Sequence, residues 1–527
     1  FRATASYNNV FGEDHIVNLF GGMETNAVNR EKTWFNGVGM QYEMGMLPSY
    51  DYLYFKQGNE ENAGYYSVDR TRQREVSFFG TGTYSYKGRY TLNGTVRYEG
   101  SNKLGKSRKA RWLPTWNVSA AWNAHEEEFW QSFRDVVSNM TLKASYSLTA
   151  DRGPASVSNS KAIINSYNTW RPFTSMKESG LILSSVENSE LTYEKKHELN
   201  IGAEIGFIDN RINIEADWYT RNNFDLIGLI YTKGTGGQLA KFANVASMKS
   251  SGVEFTVSTR NIKTKDFSWN TDFIFSHTKN EVTDLQSNAS VMDMISGNGF
   301  AMEGYPVRAL FSMDFQGLNE NGYPTFINEK GQLTVSDINF QEQLKKDHLV
   351  YEGPTDPTMT GSLGNIFRYK GFTLNAFITY SFGNVIRLDP VFHNVYSDLD
   401  AMPREFINRW TAGGDEKVTN VPVIADKRAN QQDPYLSYAY NAYNYSTERI
   451  AKGDFIRMKE LSLSYNFPKK MISRLKVNDL SLKIQATNLF LIYSDKKLNG
   501  QDPEFFNTGG VASPVPRQFT LTLRLGI

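Results

Sequence analysis

The chain has 527 residues, with 57 Lys and Arg against 56 Asp and Glu; a net charge of +1 argues against a nucleic-acid binder, whose footprint is a strong basic excess. It contains no Cys, which excludes disulfides and thiolate metal sites. Mean hydropathy is −0.48, no stretch approaches the roughly eighteen apolar residues of a spanning helix, and no Pro-rich, Gly/Ser or single-charge tract marks a domain boundary.

From the N-terminus, strand-like segments recur near 1–8, 15–32, 70–87, 89–101, 113–124, 138–149, 194–208, 210–224, 251–261, 266–282, 306–317, 359–369, 372–383, 454–467, 479–490 and 515–525. The clearest alternate apolar and polar residues: Leu142/Ala144/Tyr146/Leu148, Ile212/Ile214/Ala216/Trp218, Leu374/Ala376/Ile378/Tyr380 and Phe519/Leu521/Leu523/Leu525. A period of two puts one set on each strand face. One face is apolar while the other carries Lys, Arg and Gln, which is the pattern of a membrane β-barrel with lipid outside and a wet lumen. The 29 Tyr, 34 Phe and 9 Trp suit aromatic girdles at two membrane interfaces.

Connections fall into two classes. Lys87-Gly88-Arg89, Asp209-Asn210 and Lys370-Gly371 read as tight turns, whereas 33–68, 150–190, 225–250, 283–305, 384–452 and 491–514 read as long external loops. His125 to Asn139 reads as a short helix tucked against the rim, with Phe129, Trp130, Phe133, Val136 and Val137 as its apolar face. The apolar phase slips within 454–467, as at a β-bulge. Five segments lie between the Asp209 and Lys370 turns, yet both turns belong on the periplasmic side, which requires an even number. A further strand is therefore expected inside 320–350, at Tyr323-Pro324-Thr325-Phe326-Ile327, making seventeen.

Several motifs carry a family resemblance. Gly453-Asp454-Phe455-Ile456-Arg457-Met458-Lys459-Glu460-Leu461-Ser462-Leu463-Ser464-Tyr465-Asn466-Phe467-Pro468 is similar to the penultimate-hairpin signature of SusC/RagA-type TonB-dependent transporters. Ala486-Thr487-Asn488-Leu489-Phe490, Gly500-Gln501-Asp502-Pro503-Glu504 and Pro516-Arg517-Gln518-Phe519-Thr520-Leu521 resemble its closing segments. Upstream, Tyr193-Glu194-Lys195 with Glu198-Leu199-Asn200-Ile201-Gly202, and Tyr84-Ser85-Tyr86-Lys87-Gly88-Arg89-Tyr90, resemble two more.

The resemblance implies an all-β, transmembrane, antiparallel up-and-down β-barrel, 22-stranded in the complete family member, with about 16–17 strands here. Residues 1–527 would then be the C-terminal portion of one barrel domain, and Phe1 a cut, with a plug and the first strands preceding it. Ile527 departs from the aromatic residue on which such barrels usually finish. The implied activity is TonB-dependent import of an oligosaccharide or oligopeptide across the outer membrane of a Gram-negative bacterium. The implied partners are a SusD-like surface lipoprotein as lid and the inner-membrane TonB complex, acting on the plug. A passive porin and an outer-membrane hydrolase are the alternatives.

No enzymatic constellation and no cofactor are expected. His15, His125, His197, His277, His348 and His393 lack metal-ligand spacing, and Gly234-Thr235-Gly236-Gly237 lacks the Lys-Ser/Thr of a phosphate loop. The basic run Lys103, Lys106, Arg108, Lys109 and Arg111 is a candidate for lipopolysaccharide phosphates, or else structural. Tyr435, Tyr438, Tyr440, Tyr443 and Tyr445, and Trp170 with Phe173, are candidates to meet ligand or lid; self-packing of the loops is the competing reading.

Overall fold

The computed structural model describes residues 1–35, 40–41, 47–48, 52–53, 56–57, 66–153, 162–169, 178–231, 234, 240–286, 289–296, 299–392, 404–473, 477–505 and 516–526. Fifteen strands form one sheet in chain order, each hydrogen-bonded to the next. They are β1 (Arg2–Phe11), β2 (His15–Phe35), β3 (Tyr66–Tyr86), β4 (Tyr90–Ser101), β5 (Trp112–Asn123), β6 (Val137–Asp151), β7 (Glu194–Phe207), β8 (Ile212–Tyr231), β9 (Ala240–Lys263), β10 (Phe267–Leu285), β11 (Met359–Tyr369), β12 (Phe372–Phe382), β13 (Phe455–Asn466), β14 (Asp479–Ser494) and β15 (Gln518–Gly526). Among the described residues no helix is long and apolar enough to cross a membrane.

The chain forms two compact units, one of Phe1–Ala121, Ser145–Leu199 and Asn222–Ser247, the other of Trp122–Ala144, Asn200–Arg221 and Met248–Ile527. In the second unit the period-two pattern builds an uninterrupted apolar row. Leu521 pairs with Ile484, Ile484 with Leu463, Leu463 with Leu374, Leu374 with Phe367 and Phe367 with Trp269, so six strands contribute to one face. The next residue of each strand faces the other way: Lys483 stands beside Thr522 and Ser464, and Thr373 between Ser464 and Arg368. Leu374, Leu463, Ile484 and Leu521 are all exposed, so this face has no protein covering it and needs an apolar solvent. Near the tight-turn end the row becomes aromatic, with Phe372 against Tyr465 at 4.4 Å and Tyr465 against Phe467 at 4.8 Å. In the first unit, Leu92, Val96 and Tyr98 share a face with Tyr84, Gly80 and Phe78, while Ser77, Thr81, Thr83 and Ser85 look the other way.

The three tight turns are as expected. Lys87 and Gly88, Asp209 and Asn210, and Lys370 all adopt positive φ, which Gly and Asn tolerate most easily. Parity is also satisfied, but by the opposite route from the one expected. Only β8 to β11 lie between the Asp209 and Lys370 turns, because 306–317 leaves the main sheet. Its Ala309–Met313 pairs with Leu349–Pro354, and Phe315–Leu318 joins Pro324–Ile327 and Leu333–Thr334 in a separate three-stranded sheet. The strand expected at 323–327 exists there, not in the main sheet, so the described sheet has fifteen strands rather than seventeen.

Two further expectations change. Most of 225–250 is strand, since β8 runs to Tyr231 and β9 starts at Ala240. Beyond the membrane neither strand face has to be apolar, so the alternation fades although the hydrogen bonds continue. The segment after β5 forms two 3-10 turns, Ala124–Glu126 and Glu128–Ser132, and Phe129, Phe133 and Val136 are exposed rather than tucked inward. Trp130 Nε1 donates to the Val137 carbonyl at 2.9 Å, anchoring the turns to β6. The slip in β13 is a bulge at Lys459: Phe377 pairs with Glu460 and Ile378 with Met458, leaving Lys459 without a position in the ladder.

Candidate functional site

In the second unit the described parts of the connections 286–358 and 383–454 are not extended loops. They fold around a shared hydrophobic core of Val291, Ile295, Met313, Phe326, Ile338, Val391, Phe392, Phe406, Ala442 and Tyr443. The short helix Val291–Ile295, labelled α1, is held by a capping box in which the Ser290 hydroxyl accepts from Asp293 N and the Asp293 carboxylate accepts from Ser290 N. Lys427–Gln432 forms α2, capped by Asp426, and Leu436–Asn444 forms α3. The backbone joins the two connections directly, since Met313 N donates to the Tyr445 carbonyl at 2.9 Å.

The Tyr-rich segment divides by helical face. Leu436, Ala439 and Tyr443, at i, i+3 and i+7, are all buried, so the segment expected as loop is a helix with one face turned inward. The Tyr443 ring meets Phe315 and Phe392 edge-on at 5.5 and 5.4 Å, and burial raises its phenol pKa. The Tyr440 hydroxyl donates to the Val423 carbonyl at 2.7 Å, and the Arg387 guanidinium lies 5.5 Å from the Tyr445 ring centre. Tyr435 and Tyr438 remain outward, 61% and 43% exposed, with ring centres 5.7 Å apart. Only these two of the five candidates present substantial surface to a ligand or partner. Trp170 and Phe173 lie outside the described residues, as do Thr235, Gly236, Gly237 and His393.

Two arginines outside any motif, Arg387 and Arg449, tie this body together, and a third, Arg457 of the penultimate-hairpin signature, ties the last connection to the sheet. Arg387 donates to the Phe311 carbonyl and the Ser312 hydroxyl; burial pulls its pKa down to about 10, leaving it charged at neutral pH. Burial also raises the pKa of the Glu352 carboxyl, against the opposing effects of Ser312 and Arg387. Arg449 pairs with Glu405 and donates to the Asp389 carbonyl at 2.8 Å. Arg457 of β13 is almost fully buried and pairs with Asp502 and, at 2.8 Å, with Glu504, so the last connection is tied to the sheet through the Gly500–Glu504 motif.

In the first unit the basic run sits between β4 and β5. Ser107 caps the turn Arg108–Arg111, Lys106 is neutralised by Glu187 at 2.7 Å, and Arg108 and Lys109 are exposed. Leu104 packs with Leu113 and Tyr193 beneath it, and burial pushes the Tyr193 phenol up to about 12. On the polar sheet face nearby, Arg152 pairs with Glu75, and Arg97 with Glu99 at 2.7 Å. His197 is stacked between Tyr146 and Phe224, at 5.7 and 5.5 Å, as part of an aromatic row. No group of His, Asp and Glu suited to a metal ion occurs among the described residues.

A family profile described as "TonB dependent receptor-like, beta-barrel" matches residues 1–395. TonB-dependent receptor P3 of Formosa agariphila is 24% identical over 513 residues, covering 95% of this chain and 48% of that protein. TonB-dependent receptor SusC of Bacteroides thetaiotaomicron is 25% identical over 478 residues, covering 87% and 44%. The solved structure of the RagAB peptide transporter aligns with a TM-score of 0.77 at 20% identity, covering 99% of this chain and 55% of that one. The chain thus spans about half the length of the curated relatives it matches. With the profile covering most of the chain and the meander, tight turns and closing motifs all in place, the chain belongs to the TonB-dependent receptor-like β-barrel family of outer-membrane proteins.

Proposed function

We propose that this chain is the C-terminal portion of the barrel of an outer-membrane importer that takes up an oligomeric nutrient, an oligosaccharide or an oligopeptide, by TonB-dependent transport. The observation that carries the reading is the division of labour along the strands: an exposed apolar face for lipid, and at one end a hydrophobic-cored body built from two long connections. A passive pore needs no such body, whereas a partner that covers the opening needs a firm seat. The partner is a SusD-like surface lipoprotein acting as lid, consistent with the likeness to SusC and to RagAB, a peptide transporter by its own description. The inner-membrane TonB complex engages the part of the protein that precedes this chain, and the membrane-side partners are outer-membrane lipids and lipopolysaccharide. No chemistry on the cargo is required. The test is uptake of labelled oligosaccharide and oligopeptide libraries by cells carrying the full-length protein and its lid, with and without a proton-motive force. Uptake that stops when the gradient is collapsed supports import. Uptake that persists means a passive pore.

A further inference from the structure

Strands β2 and β3 pair one-to-one from His15↔Tyr86 to Phe35↔Tyr66, but β4 accompanies β3 only as far as Glu75↔Ser101. Beyond that point the hairpin continues as a two-stranded ribbon, and its side chains alternate as before. On the face that carries Tyr84 and Phe78, the residues further out are Val76 and then Arg74, Arg72 and Arg70. Arginine therefore replaces apolar residues from the second same-face position beyond the aromatic row's end. That row is well defined: Phe78 pairs with Tyr98, and Trp112 stacks on Tyr98 at 5.1 Å. Gly100 makes this stack possible, since a Cβ there would lie 2.7 Å from the Trp112 indole. Aromatic rows of this kind mark the edge of the hydrocarbon layer. With a rise of about 3.4 Å per residue and a tilt of about 40°, Arg74 and Arg72 stand about 10 and 16 Å beyond Phe78, at headgroup level.

The ribbon is joined to the basic run. Arg74 N donates to Asn102 Oδ1 at 2.9 Å, Asn102 N to the Arg74 carbonyl at 3.2 Å, and Asn102 Nδ2 to the Arg72 carbonyl at 2.9 Å. Lys103 follows immediately, with exposed Arg108 and Lys109 after it. The charges within the patch differ in availability. Arg70 is satisfied by Glu31 at 2.8 Å and Lys106 by Glu187 at 2.7 Å. Arg74 donates to neutral Asn29 and to main-chain carbonyls, and Arg72 faces Asn29 across the ribbon, so neither has a carboxylate across from it. Cationic side chains that keep their full charge at this level suit an anion supplied by the membrane.

We propose that Arg72 and Arg74, with Lys103, Arg108 and Lys109, form a docking surface for the phosphate groups of a phosphorylated glycolipid of the outer leaflet, lipopolysaccharide. This rests on the outer-membrane reading above and adds to it a built lipid contact. Guanidinium groups bind phosphate bidentately while ammonium groups act as point charges, so the patch combines orientation with attraction. The glycolipid would brace a ribbon that otherwise projects past its neighbour on β4.

The test uses the full-length protein purified in detergent, with retained lipid read by native mass spectrometry. The probes are bisphosphorylated lipid A, the same lipid stripped of phosphate, and phosphatidylglycerol. The variants are Arg72→Gln with Arg74→Gln, and Lys103→Gln with Lys109→Gln; the control is Arg30→Gln with Lys32→Gln, on the opposite face of the ribbon. Retention of bisphosphorylated lipid A is expected to fall about tenfold in each test pair and to hold in the control. Equal retention of the stripped lipid, equal retention of phosphatidylglycerol, or an equal loss in the control would overturn the proposal. Outer-membrane fractionation and heat-modifiable gel mobility separate the two levels. If wild type fails these, the outer-membrane reading is at fault; if all variants pass and lipid retention does not change, only the docking surface is.

Discussion

Replacing Ile484 by Arg tests the apolar row directly. Ile484 is 55% exposed and lies between Leu463 and Leu521. It follows the start of β14 at Asp479 by five residues. A rise of about 3.4 Å and a tilt of about 40° place it about 13 Å from that start, near the middle of an apolar band about 25 Å tall. Arginine at that depth costs about 2–4 kcal/mol, or roughly 30- to 1,000-fold in the folding equilibrium. Gln485→Arg is the matched comparison, one residue along the chain. It falls on the other face, between Ser462 and Thr520 and two residues from Lys483, where the expected change is under about 1 kcal/mol. The assay is refolding of the full-length protein into phosphatidylcholine vesicles across a guanidinium series, with the folded fraction read from unboiled gel mobility. Equal midpoints for the two variants would refute the assignment of the apolar face to lipid, and with it the membrane reading.

Arg457→Met removes the cation from a buried pair and leaves Asp502 unmatched; the cost of about 3–5 kcal/mol is expected to appear as faster hydrogen exchange at Leu498, Gln501 and Phe505, whose amides are bonded within that connection. Tyr443→Ala should destabilise the external body by about 3–5 kcal/mol and expose it to protease, whereas Tyr443→Phe, which removes only the buried hydroxyl's hydrogen bond to Arg449, should cost about 1–2 kcal/mol. Tyr435→Ala with Tyr438→Ala should leave protease resistance unchanged while weakening binding of lid or cargo, measured by co-purification and uptake. For Glu352, the folded pKa lies above its ordinary value, so the protonated form is favoured by folding; exchange protection of 349–354 should rise as pH falls from neutrality towards the ordinary glutamate range, and Glu352→Gln should abolish the slope.

The sheet was legible wherever one strand face meets lipid, because there the side-chain period has a physical consequence at every second residue. Leu480 to Thr487 and Phe519 to Leu525 showed this most clearly, and their register is the one the alternation implies. Legibility failed where that constraint lapses. The outer parts of β8 and β9 are half-buried against polar neighbours such as Asn188, Thr192 and Glu194 rather than against lipid, so their residues carry no phase. Ala309–Met313 misled for a different reason: it is buried on both sides, and a short apolar run reads alike whether it joins a membrane sheet or the core of a loop body. The arginines of the external body were invisible because their partners are distant in the chain, as with Arg449 and Glu405 or Arg387 and Phe311. The ladder of Arg70, Arg72 and Arg74 was in plain view as a period-two pattern, but its meaning depends on where the aromatic row ends.

The shared core of 286–358 and 383–454 has a consequence for anyone who would re-engineer recognition. A graft that replaces one of these segments with its counterpart from a relative would bring Phe326 or Tyr443 into a foreign interior and leave Arg387 without its carbonyl acceptor. Chimeras should therefore exchange both segments as a matched set. Single-segment diversity libraries belong at outward positions such as Tyr435 and Ile407, which are mostly exposed.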